Sequence, residues 1–238
     1  MLVKVTTQCT MGCPHCMEDA MPRGEHMDME VFRQTIKFIE RMNKYPLSRT
    51  ILLSGGEPTE HPQLYDFLNL LSDWFVTICS NGMFLKEQKH PLLKIAKKQA
   101  IVIQVSADHR YYSKKIAEII HPQIQYCNTI STIAPIGRAK NNRLPASRRS
   151  PFCFNLRSIC NSLRSFTATL AFLRKKGYFC TPSIDAHGNV LAGESRFCHK
   201  IGTVESSDEE LTQSICSMRC NACGLEDNLS SIEKAHIH

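Results

Sequence analysis

Three cysteines crowd the start of the chain, Cys9, Cys13 and Cys16, and five more follow late in it, Cys180, Cys198, Cys216, Cys220 and Cys223. The other four of the twelve, Cys79, Cys127, Cys153 and Cys160, are scattered. Clustering at both ends points to metal or cluster ligation, because thiolates suit zinc and iron–sulfur clusters alike. A structural zinc site wants four closed ligands, whereas Cys9-x3-Cys13-x2-Cys16 offers three from one short loop with no fourth cysteine near in sequence. Three thiolates on a four-iron cluster leave one iron open to a substrate or cofactor, so this first group suits chemistry. Cys79 and Cys127 lie inside apolar strand-like runs and read as small buried hydrophobes. Cys153 and Cys160 read as buried thiols near a linking helix, or as extra ligands.

Such a loop needs a scaffold, and the pattern supplies one. Residues 2–6 (LVKVT) alternate and read as a strand ending just before Cys9. Residues 29–42 carry apolar positions at helical spacing. Strands are expected at 50–53, 75–79 and 101–105 and within 124–133, and helices at 64–74, 91–98 and 111–120. Strand and helix alternate, which predicts parallel βα units with chemistry at the C-terminal strand ends. Residues 135–151 break the pattern as a basic loop or hinge holding Arg138, Lys140, Arg143, Arg148 and Arg149 with no acid between them. A single helix over 155–176 follows, then a hairpin over 178–191 turning at Asp185-Ala186-His187-Gly188. The expected division is a core of residues 1–152 and a linker helix plus cysteine-rich unit over 153–238.

Composition excludes little. Hydrophobic residues at 42% and charged residues at 21% are ordinary for a soluble globular chain. No apolar run approaches the length of a membrane span, and the N-terminus lacks a signal-peptide pattern. The expected compartment is therefore the cytoplasm, where thiols stay reduced. The net charge of +7 permits an acidic partner without requiring one. No basic stretch is interleaved with aromatics to stack bases, so no nucleic-acid partner is expected.

The residues Cys9-Thr10-Met11-Gly12-Cys13-Pro14-His15-Cys16 resemble the cluster-binding motif of the radical S-adenosylmethionine (radical SAM) superfamily, with His15 at its usually aromatic position. Gly55-Gly56-Glu57-Pro58 resembles that family's motif whose backbone and carboxylate receive the methionine amino group. Ser80-Asn81-Gly82 is similar to its turn after the third strand. Ser106 and Asp108 look like its polar pair near the ribose, although they also suit an ordinary helix N-cap. Physically, glycines let main chain approach a small ligand, and Glu57 can pair with an ammonium. The resemblance spans about residues 1–137 and implies an α/β fold, a partial (β/α)6 TIM-like barrel. No clear glycine-rich motif follows the fifth strand, so the later core looks shortened.

The late cysteines, with His187-Gly188-Asn189-Val190 and Ile201-Gly202-Thr203-Val204, resemble the C-terminal extension called SPASM or, when shorter, twitch. That resemblance implies an auxiliary four-iron cluster, one rather than two because no cysteine follows Cys223. Five cysteines for four positions leave one surplus; Cys180, Cys198 and two of the last three, including Cys223, are favoured. A structural zinc knot would also satisfy these spacings.

Taken together, the resemblance implies an enzyme that reductively cleaves S-adenosylmethionine at a cluster on Cys9, Cys13 and Cys16. The resulting 5′-deoxyadenosyl radical would abstract a substrate hydrogen. Peptide modification, a crosslink or an oxidation in a ribosomally made precursor, is the leading expectation; small-molecule or cofactor maturation is the second. An electron donor such as flavodoxin or ferredoxin is implied. With the first cysteine at position 9, a precursor peptide would need a separate recognition protein or direct capture at the barrel mouth. The reading of a different class is a zinc-stabilised, non-catalytic binding protein, for which Glu57 and its glycines would have no purpose. His61, His90 and His109 read as surface residues, with His109, Tyr111 and Tyr112 placed to face the barrel opening.

Overall fold

Val3 and Val5 of β1 (Leu2–Thr6) are fully buried, and the same alternation runs through β2 (Thr50–Gly55), β3 (Phe75–Ser80) and β4 (Ile101–Ser106). Ile51, Leu53, Val76, Ile78, Ile101, Ile103 and Val105 join them in one apolar face. Because side chains alternate along a strand, the opposite face carries Lys4, Ser54, Thr77, Cys79, Gln104 and Ser106, which is largely polar. This is a computed structural model. It describes residues 1–43, 49–86, 90–106, 122–127, 136–144, 152–176 and 181–218, without the side chains of 127, 152–155 and 174–176. Cys79 is therefore no core thiol. It is half-buried on the polar face and donates to Gln104 Oε1 at 3.6 Å, its cross-strand partner on β4.

These four strands and β5 (Ile124–Cys127) are parallel neighbours in the order β5-β4-β3-β2-β1. On the far side of β1 lies β6 (Ser183–Ile184), also parallel to it, followed by antiparallel β7 (Asn189–Leu191) and β8 (Lys200–Thr203). The hairpin between β6 and β7 turns at Asp185–Gly188 as expected, with the Asp185 carboxylate accepting from the backbone N–H of His187 and Asn189 at 2.9 Å each. The sheet is thus α/β and mostly parallel, and its last three strands come from the C-terminal part of the chain.

Helices cover the apolar face. α1 (Met29–Met42) starts where Asp28 accepts from Val31 N at 2.8 Å, and it buries Phe32, Thr35, Phe38, Ile39 and Met42 along one stripe. α2 (Leu64–Leu70) ends before the expected residue 74, because Leu71 N closes the last turn on Phe67 and Leu68 and buried Trp74 bonds back to Leu71 O at 2.9 Å. α3 (Pro91–Lys98) opens with proline at its first position, and the short α4 (Arg138–Asn141) follows β5. The expected single helix over 155–176 is two, α5 (Phe152–Leu163) and α6 (Phe166–Lys176). Arg164 takes φ 52° and Ser165 caps the second helix, its Oγ accepting from Ala168 N at 3.1 Å. The start of α6 docks on α7 (Asp208–Ser217): Phe166 N donates to Thr212 Oγ1 at 2.8 Å and Thr167 N to Asp208 Oδ1 at 2.6 Å. Among the described residues no helix is long and apolar enough to cross a membrane.

His61 is no surface residue. It is 4% exposed, its Nδ1 accepts from Gln63 N at 3.0 Å and its Nε2 donates to Met27 O at 3.0 Å. Burial lowers its pKa to about 4, helped by His26 and opposed by the Met27 carbonyl. The folded protein therefore holds it neutral, whereas an unfolded chain protonates it near pH 6.5. Its contribution is complete above pH 6.5 and is lost as pH falls from there to about 4, a span worth about 3 kcal/mol. Urea unfolding at pH 7 and pH 4.5 should show a steeper loss in the native protein than in a His61→Leu variant; parallel losses would assign the acid sensitivity elsewhere.

Candidate cluster and cofactor site

Cys9, Cys13 and Cys16 lie on a loop that leaves the C-terminal end of β1 and returns at residue 27. Its base is zipped: Thr7 N donates to Glu25 O at 2.9 Å, Cys9 N to Met21 O at 2.8 Å and Met27 N to Val5 O at 2.8 Å. The ends of the neighbouring strands close round it. Gly56 N donates to Thr6 O and Glu57 N to Gln8 O, both at 2.7 Å. A Cβ on Gly56 would stand 1.9 Å from Gln8 O, so this approach of two main chains requires glycine.

Glu57 faces inward. It is 1% exposed, and its Oε1 accepts from Thr59 N at 3.1 Å, Thr59 Oγ1 at 2.7 Å and Ser80 Oγ at 2.8 Å, while Oε2 accepts from Asn81 N at 2.7 Å. Burial raises its pKa, against the bonds from Asn81, Thr59 and Ser80. The carboxylate thus ties the end of β2 to the end of β3. That tie presents Asn81, whose Nδ2 donates to Cys9 Sγ at 3.6 Å. Cys9 is buried, and burial raises its pKa; Glu57 and Glu60 push the same way, while the Met11 N–H and Asn81 oppose. A metal-bound thiol is deprotonated outright, so loading iron here would release a proton.

Several positioning residues were not legible beforehand. Glu60 holds the loop between the first two cysteines, Oε1 accepting from Thr10 N at 3.1 Å and Thr10 Oγ1 at 2.7 Å. Arg138, expected within a basic loop or hinge, is docked on the cysteine loop: its N donates to Cys16 O at 2.9 Å and its Nη1 to Cys13 O at 2.9 Å. Asn142 Nδ2 donates to Pro14 O at 2.8 Å. Lys140 and Arg143 of the same run are exposed. The C-terminal part joins in as well, Ser195 Oγ donating to Met17 O at 2.8 Å and Arg196 N to Glu18 Oε2 at 3.3 Å. Beneath them Lys4 Nζ pairs with Glu18 Oε1 at 3.2 Å, and Glu194 is pushed up to about 7 by burial, with Lys4 lowering and Glu18 raising it.

Of the other expected site residues, His15 is half-buried within the loop, Pro58 is buried at the start of a 3₁₀ turn (Pro58–Glu60), and Gly55 takes φ +125° at the end of β2. Ser106 ends β4 on the polar face. Asp108, Cys180, Cys220 and Cys223 lie outside the described residues, as do His109, Tyr111, Tyr112, Arg148, Arg149 and the helix expected over 111–120. Cys198 is half-buried, with its Sγ beside Gly193. Cys160 is fully buried, and its thiol is pushed up to about 11 by burial, lowered by Thr169 and raised by the Cys216 thiol. Cys216 is therefore turned to Cys160 across the α5–α7 contact.

The donor set fits a cluster. Three thiols share one braced loop and an amide N–H bonds the first of them. Among the described residues no three His, Cys, Asp or Glu side chains converge to hold a single metal ion.

A parallel α/β sheet whose C-terminal strand ends surround a three-thiol loop defines a class of cofactor-binding enzyme. The family model of the radical SAM superfamily matches residues 3–138, more than half of the chain. The chain belongs to the radical SAM superfamily and is an enzyme; membership implies a [4Fe–4S] cluster and S-adenosylmethionine. A comparison with curated protein sequences finds no match. Among solved structures the chain is similar to that of BtrN in complex with AdoMet and 2-DOIA, at 13% identity and TM-score 0.57, covering 98% of this chain and 87% of that one. It is similar also to Streptococcus suis SuiB bound to S-adenosylmethionine, at 16% identity and TM-score 0.50, covering 94% and 70%. At such identities the likeness is one of fold.

Proposed function

We propose that this enzyme reductively cleaves S-adenosylmethionine and uses the 5′-deoxyadenosyl radical to abstract hydrogen from a peptide, installing a crosslink or an oxidation. The observation that carries the reading is the braced loop of Cys9, Cys13 and Cys16, with Asn81 bonded to the Cys9 sulfur. These thiols would hold the four-iron cluster, which when bound supplies the electron for the cleavage. Because the Glu57 carboxylate is spent on Thr59, Ser80 and Asn81, the main chain of the Gly55–Glu57 turn is left to receive the methionine amino group. His15, Pro58 and Asn81 are assigned to the same cofactor, with Ser106 and Asp108 assigned to the ribose. The core is read as a partial (β/α)6 barrel over residues 1–152. Residues 153–238 would form the auxiliary unit, and the peptide class rests on that second cysteine group. The expected partners are a flavodoxin- or ferredoxin-type donor, a precursor peptide and a separate protein that recognises it.

Anaerobic protein, reductant and S-adenosylmethionine should give 5′-deoxyadenosine and methionine, with deuterium moving from a labelled peptide substrate into the nucleoside. No cleavage by iron-loaded protein would overturn the reading.

For the auxiliary cluster, Cys216 is read as the surplus thiol, a reading supported by its contact with Cys160, and Cys180, Cys198, Cys220 and Cys223 as the ligands. Cys216→Ser should keep its iron, whereas Cys198→Ser should lose about four per chain. Equal losses from both would return Cys216 to the ligand set.

A further inference from the structure

Arg138 lies more than a hundred residues beyond the cysteine loop in sequence, yet it makes more contacts with that loop than any other side chain described above. Its backbone N–H reaches Cys16 O and its Nη1 reaches Cys13 O, each at 2.9 Å. Its Nε donates to Asp19 Oδ1 at 3.0 Å, and its Nη2 donates to Ala20 O and lies 3.6 Å from Met21 Sδ. The docking depends on Gly137, at φ +61°, where a Cβ would stand 2.6 Å from Met17 O and 2.8 Å from Cys16 O. Asp19 itself is held at φ 49°, a left-handed conformation that non-glycine residues seldom adopt. A planar guanidinium fits this task because its five N–H groups form a rigid fork; a lysine offers one mobile ammonium.

The charge bears on redox chemistry as well as on shape. The Arg138 side chain is only 17% exposed, so its field is poorly screened. Asp19 balances one positive charge, but Arg196 Nη2 also lies 3.8 Å from Asp19 Oδ2. Glu18, which accepts from Arg196 N, is matched by Lys4 at 3.2 Å, so the two guanidiniums set against Asp19 leave a net positive charge beside the main chain of Cys13 and Cys16. Reducing a cluster adds a negative charge, which a fixed neighbouring cation favours.

We infer that Arg138 is a positioning residue for the cluster on Cys9, Cys13 and Cys16: it fixes the ligand loop before iron arrives and raises the potential at which the cluster accepts its electron. The inference rests on the cluster assignment proposed above. The wild-type iron content tests that assignment, and differences between variants test Arg138.

Arg138→Gln and Arg138→Lys are compared with wild type in a Cys223→Ser background, so that the second cysteine group adds no signal. Metal-free Arg138→Gln should be cut faster by protease within residues 9–21. Once loaded, it should release iron to a chelator about 10- to 100-fold more readily, and the cluster that remains should titrate at a lower potential. Arg138→Lys keeps the charge but not the fork, so it should share the weak retention while its potential returns towards wild type. A purely structural role would weaken retention without moving the potential. Unchanged potential in Arg138→Gln, or protease sensitivity equal to wild type in both variants, would overturn the inference. Should Arg138→Gln fail to fold, wild-type iron retention in Arg138→Lys would do the same.

Discussion

Replacing Cys9, Cys13 and Cys16 together by alanine should abolish formation of 5′-deoxyadenosine while leaving the fold standing. The loss should be complete because these thiols are the whole protein contribution to the proposed cluster, and without them no electron reaches S-adenosylmethionine. The fold should survive because the loop is braced by groups other than its sulfurs. Thr7, Cys9 and Met27 zip its base through main chain, Glu60 grips Thr10, and Arg138 and Asn142 grip backbone carbonyls. Cys13 and Cys16 are only half-buried, so their truncation leaves small voids; Cys9 is buried and carries most of the packing cost. Anaerobic turnover assays with thermal melts on the same preparations check both halves. Cleavage at the wild-type rate in the triple variant would remove these cysteines from the chemistry.

The second large effect is expected at Gly56. Its missing Cβ is what allows Gly56 N and Glu57 N to bond Thr6 O and Gln8 O at 2.7 Å. An alanine would place carbon 1.9 Å from Gln8 O and 2.5 Å from Gln8 C, both backbone atoms that no rotamer change can move. The cysteine loop and the Gly55–Glu57 turn must then separate, at a cost of about 3 kcal/mol or more. Because that contact also carries Glu57, and through it Asn81 and the Cys9 sulfur, cluster retention should fall with stability. Gly12→Ala is the matched control. Gly12 has φ +67° but nothing within 4 Å of a Cβ, so only the backbone penalty of about 1 kcal/mol applies. Melting temperature and iron retention should drop sharply in Gly56→Ala and slightly in Gly12→Ala; equal responses would show that the close approach is not what holds the site.

The scaffold was legible where one local signal decided the outcome. Apolar positions at helical spacing marked α1, and Asp185-Ala186-His187-Gly188 marked its turn. The parallel strands followed from alternating β-branched runs, and the motif residues on them fall at the strand ends, as that order predicts. What escaped depended on distant partners. Arg164 broke an apolar helix because α7 supplies groups that cap a fresh start at Phe166. His61 reads as a surface residue from sequence, but Met27 and Gln63 satisfy both ring nitrogens and allow its burial. Arg138 sat in a run without acids, and its acceptors, mostly backbone carbonyls, leave no mark on sequence. Glu57 is expected at the site from its motif, but only its neighbours reveal that the carboxylate turns inward.

The most direct test of the central claim is the iron and zinc content of anaerobically purified protein, measured beside the Cys9/Cys13/Cys16→Ala variant. The expected result is about eight irons per chain, falling to about four in the variant, with little zinc in either. Stoichiometric zinc with little iron, even after reconstitution, would contradict it.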